Sequence, residues 1–125
     1  MLQKNQVVKA RKAIESLYDG TCTITEYKKV QKANKSMAFK EVVVLEEQPC
    51  RLSFQTVNST NQTETGASVL SQSVKVFLAP EIQVKPGSKL TITRNQVVTD
   101  YQSSGEPAHY STHQEIVLEL FKGWS

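Results

Sequence analysis

His109 and His113 stand four residues apart, with Glu115 two positions further on. On a helix that spacing would bring two imidazoles and a carboxylate to one face, where they could hold zinc. The neighbouring residues argue for a strand instead, because from Tyr110 to Phe121 apolar and polar side chains alternate with period two. Four residues of strand separate two side chains by about 13 Å, too far to share one ion. The order H-x-x-x-H-x-E also differs from the H-E-x-x-H of helical zinc sites. Glu46-Glu47 and the pair Glu115 and Glu119 could serve acid–base chemistry, yet solvent-facing strand ends explain them equally well. No nucleophile elbow, phosphate loop or dinucleotide fingerprint occurs. The residues therefore point to a protein that is not an enzyme and uses neither metal nor cofactor.

Cys22 and Cys50 are too few for a disulfide framework or a zinc site. Both sit in alternating apolar stretches, where a reduced cysteine serves as a small buried hydrophobe. Charge is distributed unevenly. Residues 1–40 carry a net +6 and residues 41–125 a net −3. Lys9, Arg11 and Lys12 lie in the first segment, and Lys28, Lys29, Lys32, Lys35 and Lys40 gather around one hairpin. Such an imbalance suits a head-to-tail neighbour or an anionic partner, and solvated faces account for it too. A nucleic-acid binder of the OB type would use these lysines on phosphates, but it also needs exposed aromatics for bases to stack on. Only Tyr27 and Phe39 flank the cluster.

The elements that carry these residues follow from periodicity. The chain has 125 residues, 38% hydrophobic and 22% charged, which fits one globular domain spanning 1–125. No apolar run reaches the roughly 18 residues needed to span a bilayer, and the first twenty residues lack the pattern of a secretory signal. Val7, Ala10, Ile14 and Leu17, with Ala13 and Tyr18 beside them, predict an amphipathic helix over 5–18, capped by Asn5 and stopped at Asp19-Gly20. Everything beyond reads as strand. Cys22 and Ile24, then Cys50, Leu52 and Phe54, then Val74, Val76 and Leu78, then Leu90 and Ile92, then Ile116, Leu118 and Leu120 mark inward phases. Gln48-Pro49 marks a bend, and KPGSK at 85–89 and SSGEP at 103–107 are turns. This pattern predicts a mainly β fold, a small antiparallel barrel with an N-terminal helix.

One segment resists that reading. Between Phe54 and Ser73 the chain carries a single charge, Glu64, among Ser, Thr, Asn and Gln. It reads as a long polar loop over residues 55–72, and unstructured loops above about 12–15 residues are uncommon unless functional or disordered. Val69-Leu70, near its end, already has strand character.

The phrases "FLAPEIQVKPGSKLTITRNQ…TDYQSSGEPAHYSTHQEIVLELF" and "ARKAIESLYDGTCTITEY…EVVVLEEQPCRLSF" together cover residues 10–122. In their order and spacing they resemble the head–tail joining, or head-completion (stopper), proteins of long-tailed bacteriophages, in particular the group of the PBSX-type phage-like element. The resemblance implies a β-barrel with a helix and one long loop, assembled as a self-associated ring, typically a dodecamer. Such a ring sits in the virion neck, beneath the portal and its adaptor, and is built in the bacterial cytoplasm. It closes the DNA channel after packaging and gives the tail, through its completion or terminator protein, a platform. No membrane is involved. The family's channel loop matches Gln55, Thr56, Val57, Asn58, Ser59, Thr60, Asn61, Gln62, Thr63, Glu64, Thr65, Gly66, Ala67 and Ser68. A segment lining a DNA conduit gains from having no Lys or Arg, which would hold phosphates. Lys9, Arg11, Lys12, Lys28, Lys29, Lys32 and Lys35 offer a docking surface for the adaptor or a neighbouring subunit. A tail-side joining protein of related fold, and an OB-type nucleic-acid binder, are the alternatives.

Overall fold

Among the described residues, alternation of apolar and polar side chains resolves into seven strands, preceded by one helix. The computed structural model describes residues 3–59 and 69–124. Its elements are α1 Lys4–Glu15, β1 Gly20–Gln31, β2 Met37–Ser59, β3 Val69–Leu78, β4 Lys89–Arg94, β5 Val97–Ser103, β6 Ala108–His109 and β7 Gln114–Leu120. All pairings are antiparallel. β1 pairs with β2 and β4, β4 with β5, β5 with β7, β7 with β3, and β3 with β2, so the pairings run round a ring. The β5–β7 seam is short, from Tyr101↔Leu120 to Ser103↔Leu118. The expected small barrel-like β fold with an N-terminal helix is what forms.

The inward phase of each strand builds the core. Cys22, Ile24, Cys50, Val76, Leu78, Leu90, Ile92 and Ile116 are essentially inaccessible to solvent. Tyr101 joins them from β5, and Ile82 and Val84 join from the irregular segment between β3 and β4. That segment is strapped by fully buried Gln114, whose Nε2 donates to the carbonyls of Ala79 and Ile82. A buried amide here satisfies carbonyls that no strand reaches.

Several sequence expectations are corrected. The helix spans Lys4–Glu15, with Gln3 at the N-cap and its backbone N–H donating to Gln6 Oε1 at 3.1 Å, so Asn5 is not the cap. Val7, Ala10, Ile14 and Tyr18 are half-buried, but Leu17 falls beyond the last helical residue and is exposed. Gly20 begins β1 and caps no helix. Its missing side chain serves packing, since a Cβ would stand 2.9 Å from the carbonyl oxygen of Thr93 on β4. Asn95 and Gln96, read as strand, form a two-residue hairpin turn with φ of 51° and 66°. Residues 110–113, also read as strand, close the β6–β7 hairpin, with the Tyr110 N–H donating to the His113 carbonyl. Phe54 and Leu120 are exposed at the rim of the barrel: Phe54 pairs with Val74, the last β3 residue that β7 flanks, and Leu120 ends β7, paired with Tyr101 but past the last β3 partner at Leu118.

The bend expected at Gln48-Pro49 is present just before it. β2 carries extra residues opposite Cys22–Thr25, and Glu47 takes a φ of 48° while its N–H donates to Thr23 Oγ1. Pro49 stays in the strand, where β3 does not begin pairing until Arg51.

The long loop is the largest correction. β2 continues to Ser59, and Gln55–Ser59 pair with Ser73–Val69. Thr and Val favour strands whatever their polarity, and an uncharged polar ribbon needs no core on either side. Thr60, Asn61, Gln62, Thr63, Glu64, Thr65, Gly66, Ala67 and Ser68 lie outside the described residues.

Candidate functional site

Two ribbons run past the barrel wall, and they hold most of the candidate residues. The first is the β1–β2 arm. β4 accompanies β1 only as far as Thr25↔Lys89, so from Tyr27↔Glu41 to Gln31↔Met37 the two strands pair only with each other. The tip closes through the Lys32 N–H to the Ser36 carbonyl at 2.7 Å, with Lys35 in the left-handed region at φ 69°.

Strand parity sorts the arm's residues onto two faces. Tyr27, Lys29 and Gln31 share one face with their partners Glu41, Phe39 and Met37. Tyr27 stacks on Phe39 with centroids 5.4 Å apart, and Trp124 stacks on Tyr27 at 5.0 Å. Phe121 meets Trp124 edge-on, and the Lys89 ammonium lies 5.0 Å from the Phe121 ring while also bonding Glu41. The C-terminal residues thus tie the arm to the barrel. Sequence reasoning missed Trp124, though FKGW directly after the last strand was a signal for it. Between this face and the 85–88 turn runs a cleft lined by Tyr27, Lys29, Phe39, Pro86, Ser88 and Trp124.

The structure brings Lys28, Lys29, Lys32 and Lys35 together on the arm and leaves Lys9, Arg11 and Lys12 on α1. Lys28 lies 3.4 Å from Glu26. Arg11 is engaged within the chain, 3.1 Å from Glu15 and 2.6 Å from Glu81. That bonding raises the guanidinium pKa and holds the Glu81 carboxyl below its ordinary range. Arg11 therefore fastens the helix to the segment after β3 and does not stand free for docking. Both groups are exposed, so the pair adds little stability.

The aromatics an OB-type binder needs are present on the lysine-bearing arm. They are stacked against one another, however, which leaves no slot between rings for a base. The two histidines lie on either side of a hairpin, not four residues apart along one strand as the alternation implied, and each has its own neighbours. His109 pairs with Gln114 across the hairpin, while His113 Nε2 lies 2.8 Å from Glu115 and its ring stacks on Tyr110. Among the described residues no cluster of three His, Cys, Asp or Glu could hold a metal. No helix among them is long and apolar enough to cross a membrane.

The second ribbon joins β2 and β3. β7 accompanies β3 only from Leu78 to Val74, so Gln55–Ser59 and Val69–Ser73 pair only with each other. It carries the residues matched to the channel loop as far as Ser59.

No protein-family model matches the chain, and no curated protein matches it. Among solved structures it is similar to the protein xkdH of the phage-like element PBSX from Bacillus subtilis. The identity is 14%, the overlap covers 80% of this chain and 91% of that one, and the TM-score is 0.48.

Proposed function

We propose that this chain is a structural component of a tailed-phage neck: a connector that assembles as a ring below the portal and adaptor, closes the DNA channel and receives the tail. The observation that carries the reading is the β2–β3 ribbon. It extends beyond the barrel with paired strands and bears no lysine or arginine from Gln55 to Ser73. A ribbon of Thr, Asn, Gln and Ser can face a DNA conduit without gripping phosphates. The order and spacing of the phrases shared with head-completion proteins support the same reading. In this proposal the protein acts through contacts, without catalysis or cofactor, and its partners are further copies of itself, the adaptor above, the tail-completion protein below, and DNA held without sequence preference.

Electron micrographs of particles from a deletion strain test this directly. DNA-filled heads that leak and lack tails are the expected outcome. Heads that stay full and closed would assign the protein to the tail side of the joint.

A further inference from the structure

Beyond Thr25, β1 has a free edge. Its last partner on β4 is Lys89, and the chain before Lys89 leaves that lane through the 85–88 turn. Which backbone groups face the edge follows from the tip of the arm. The Lys32 N–H donates to the Ser36 carbonyl, so Lys32 and every second residue before it bond β2. Counting from the two-residue β4–β5 turn gives the same parity, with Thr25 bonded to Lys89. Tyr27, Lys29 and Gln31 therefore turn their N–H and C=O to the open side. Among the described residues no backbone group meets them there. Such an unpaired row of donors and acceptors is what another strand pairs with.

We propose that this edge takes an extended, acidic segment of a partner protein as an added strand, in the lane that β4 leaves. This docking is independent of the neck reading. The lane is open, for a cleft of about 690 Å³ lies between Tyr27 and Lys29 on one side and the 85–88 turn on the other. That turn is a fixed wall: the Ser88 N–H donates to the Lys85 carbonyl, and the Ser88 carbonyl accepts from the Ser103 N–H. Two donors that line the cleft lack partners, the hydroxyl of Ser88, a residue only 3% exposed, and the indole N–H of Trp124. From Tyr27 to Gln31 the edge runs about 13 Å, enough for a strand of five residues.

Charge selects the occupant. Lys28, Lys29 and Lys85 line the cleft against a single carboxylate, Glu26, which stands 3.4 Å from Lys28 and 3.9 Å from Lys85. Lys29 makes no ion pair among the described residues. Lysines along an edge repel an identical edge, so two copies of β1 pair poorly with each other. An aspartate or glutamate opposite Lys29 converts the same charge into attraction. A nucleic acid would use the lysines on its phosphates, yet it would leave the backbone row unmet. Only another backbone satisfies both features.

The test uses the full-length protein and a fluorescein-labelled peptide of alternating valine and glutamate, about seven residues long, with a valine–lysine peptide as control. By fluorescence anisotropy the glutamate peptide should bind roughly tenfold or more tightly than the control. In amide exchange the Tyr27, Lys29 and Gln31 N–H groups should be unprotected in the free protein and protected with the glutamate peptide bound, while Lys28 and Val30 stay as they were. Lys29→Pro removes an outward N–H and no hydrogen bond of the fold, so it should abolish binding with circular dichroism unchanged. Lys29→Gln keeps that N–H and should weaken binding only a few-fold. The exchange measurement on wild-type protein decides the matter even where the proline variant unfolds. Failure of the glutamate peptide to bind, or binding without new protection at Tyr27, Lys29 and Gln31, would overturn strand addition. Protection there that grows with protein concentration alone would give the edge to a second copy and overturn the acidic partner. A single-stranded oligonucleotide that displaces the peptide and leaves those amides unprotected would assign the lysines to nucleic acid, with the same consequence.

Discussion

Cys22 and Cys50 occupy neighbouring strands and are fully buried, as their inward phase implies. Burial pushes the Cys50 thiol up to about 12 and raises that of Cys22 as well, with each thiolate disfavoured by desolvation. Both should resist alkylation in the native protein at pH 8 and react fully in denaturant, which a thiol titration checks. The linkage has a definite sign. Above the ordinary thiol value of 9.0 the unfolded chain loses these protons while the folded chain keeps them. Stability should therefore fall as pH rises from about 9, visible as a declining urea midpoint. Gln114 matters for a different reason. Gln114→Ala would orphan the buried carbonyl of Ile82, while that of Ala79 keeps the Ile82 N–H, and should cost about 1–3 kcal/mol in urea unfolding. The same substitution should loosen the segment that carries Ile82 and Val84 into the core.

At the scale of elements, the β4–β5 hairpin holds Gln96 at a φ of 66°, a conformation that strains a residue with a Cβ. Gln96→Gly relieves that strain and turns the pair into Asn-Gly, the preferred sequence for this turn. The variant should gain about 0.5–1 kcal/mol in a thermal or urea melt. The β2–β3 ribbon permits a sharper test. Ser59 and Val69 stand directly opposite each other, so Asn-Gly in place of residues 60–68 would close the ribbon in its existing register. Folding stability should stay within about 1 kcal/mol, because the removed segment TNQTETGAS carries no large apolar side chain and a shorter connection closes at lower entropic cost.

For the whole molecule, that shortened variant separates a channel-closing role from a scaffolding one. Particles assembled with it should package DNA yet fail to retain it, measured as nuclease-accessible DNA in purified heads. Retention equal to wild type would remove residues 60–68 from any stopper role while leaving the arm and barrel as a platform.

Local pattern set the parity of each strand, and hence Cys22, Ile24, Leu52, Val76, Leu90 and Ile116 as core, because a period of two leaves only one face to bury. It likewise determined the glycine turn at Gly87 and the strand character of Val69-Leu70. Tertiary structure decided where each strand stops having neighbours. Phe54 and Leu120 keep the apolar phase of the core yet stand exposed, for Phe54 sits where β7 stops flanking β3 and Leu120 ends β7 past its last β3 partner, and no local pattern records that limit. Gly20 looked like a helix stop and proved to be a site of close approach between β1 and β4, visible only once Thr93 is beside it. The candidate arm face depended on the same long-range facts. Tyr27, Phe39 and Trp124 are far apart in sequence and become one stack because β2 folds back on β1 and the C-terminus crosses to meet them.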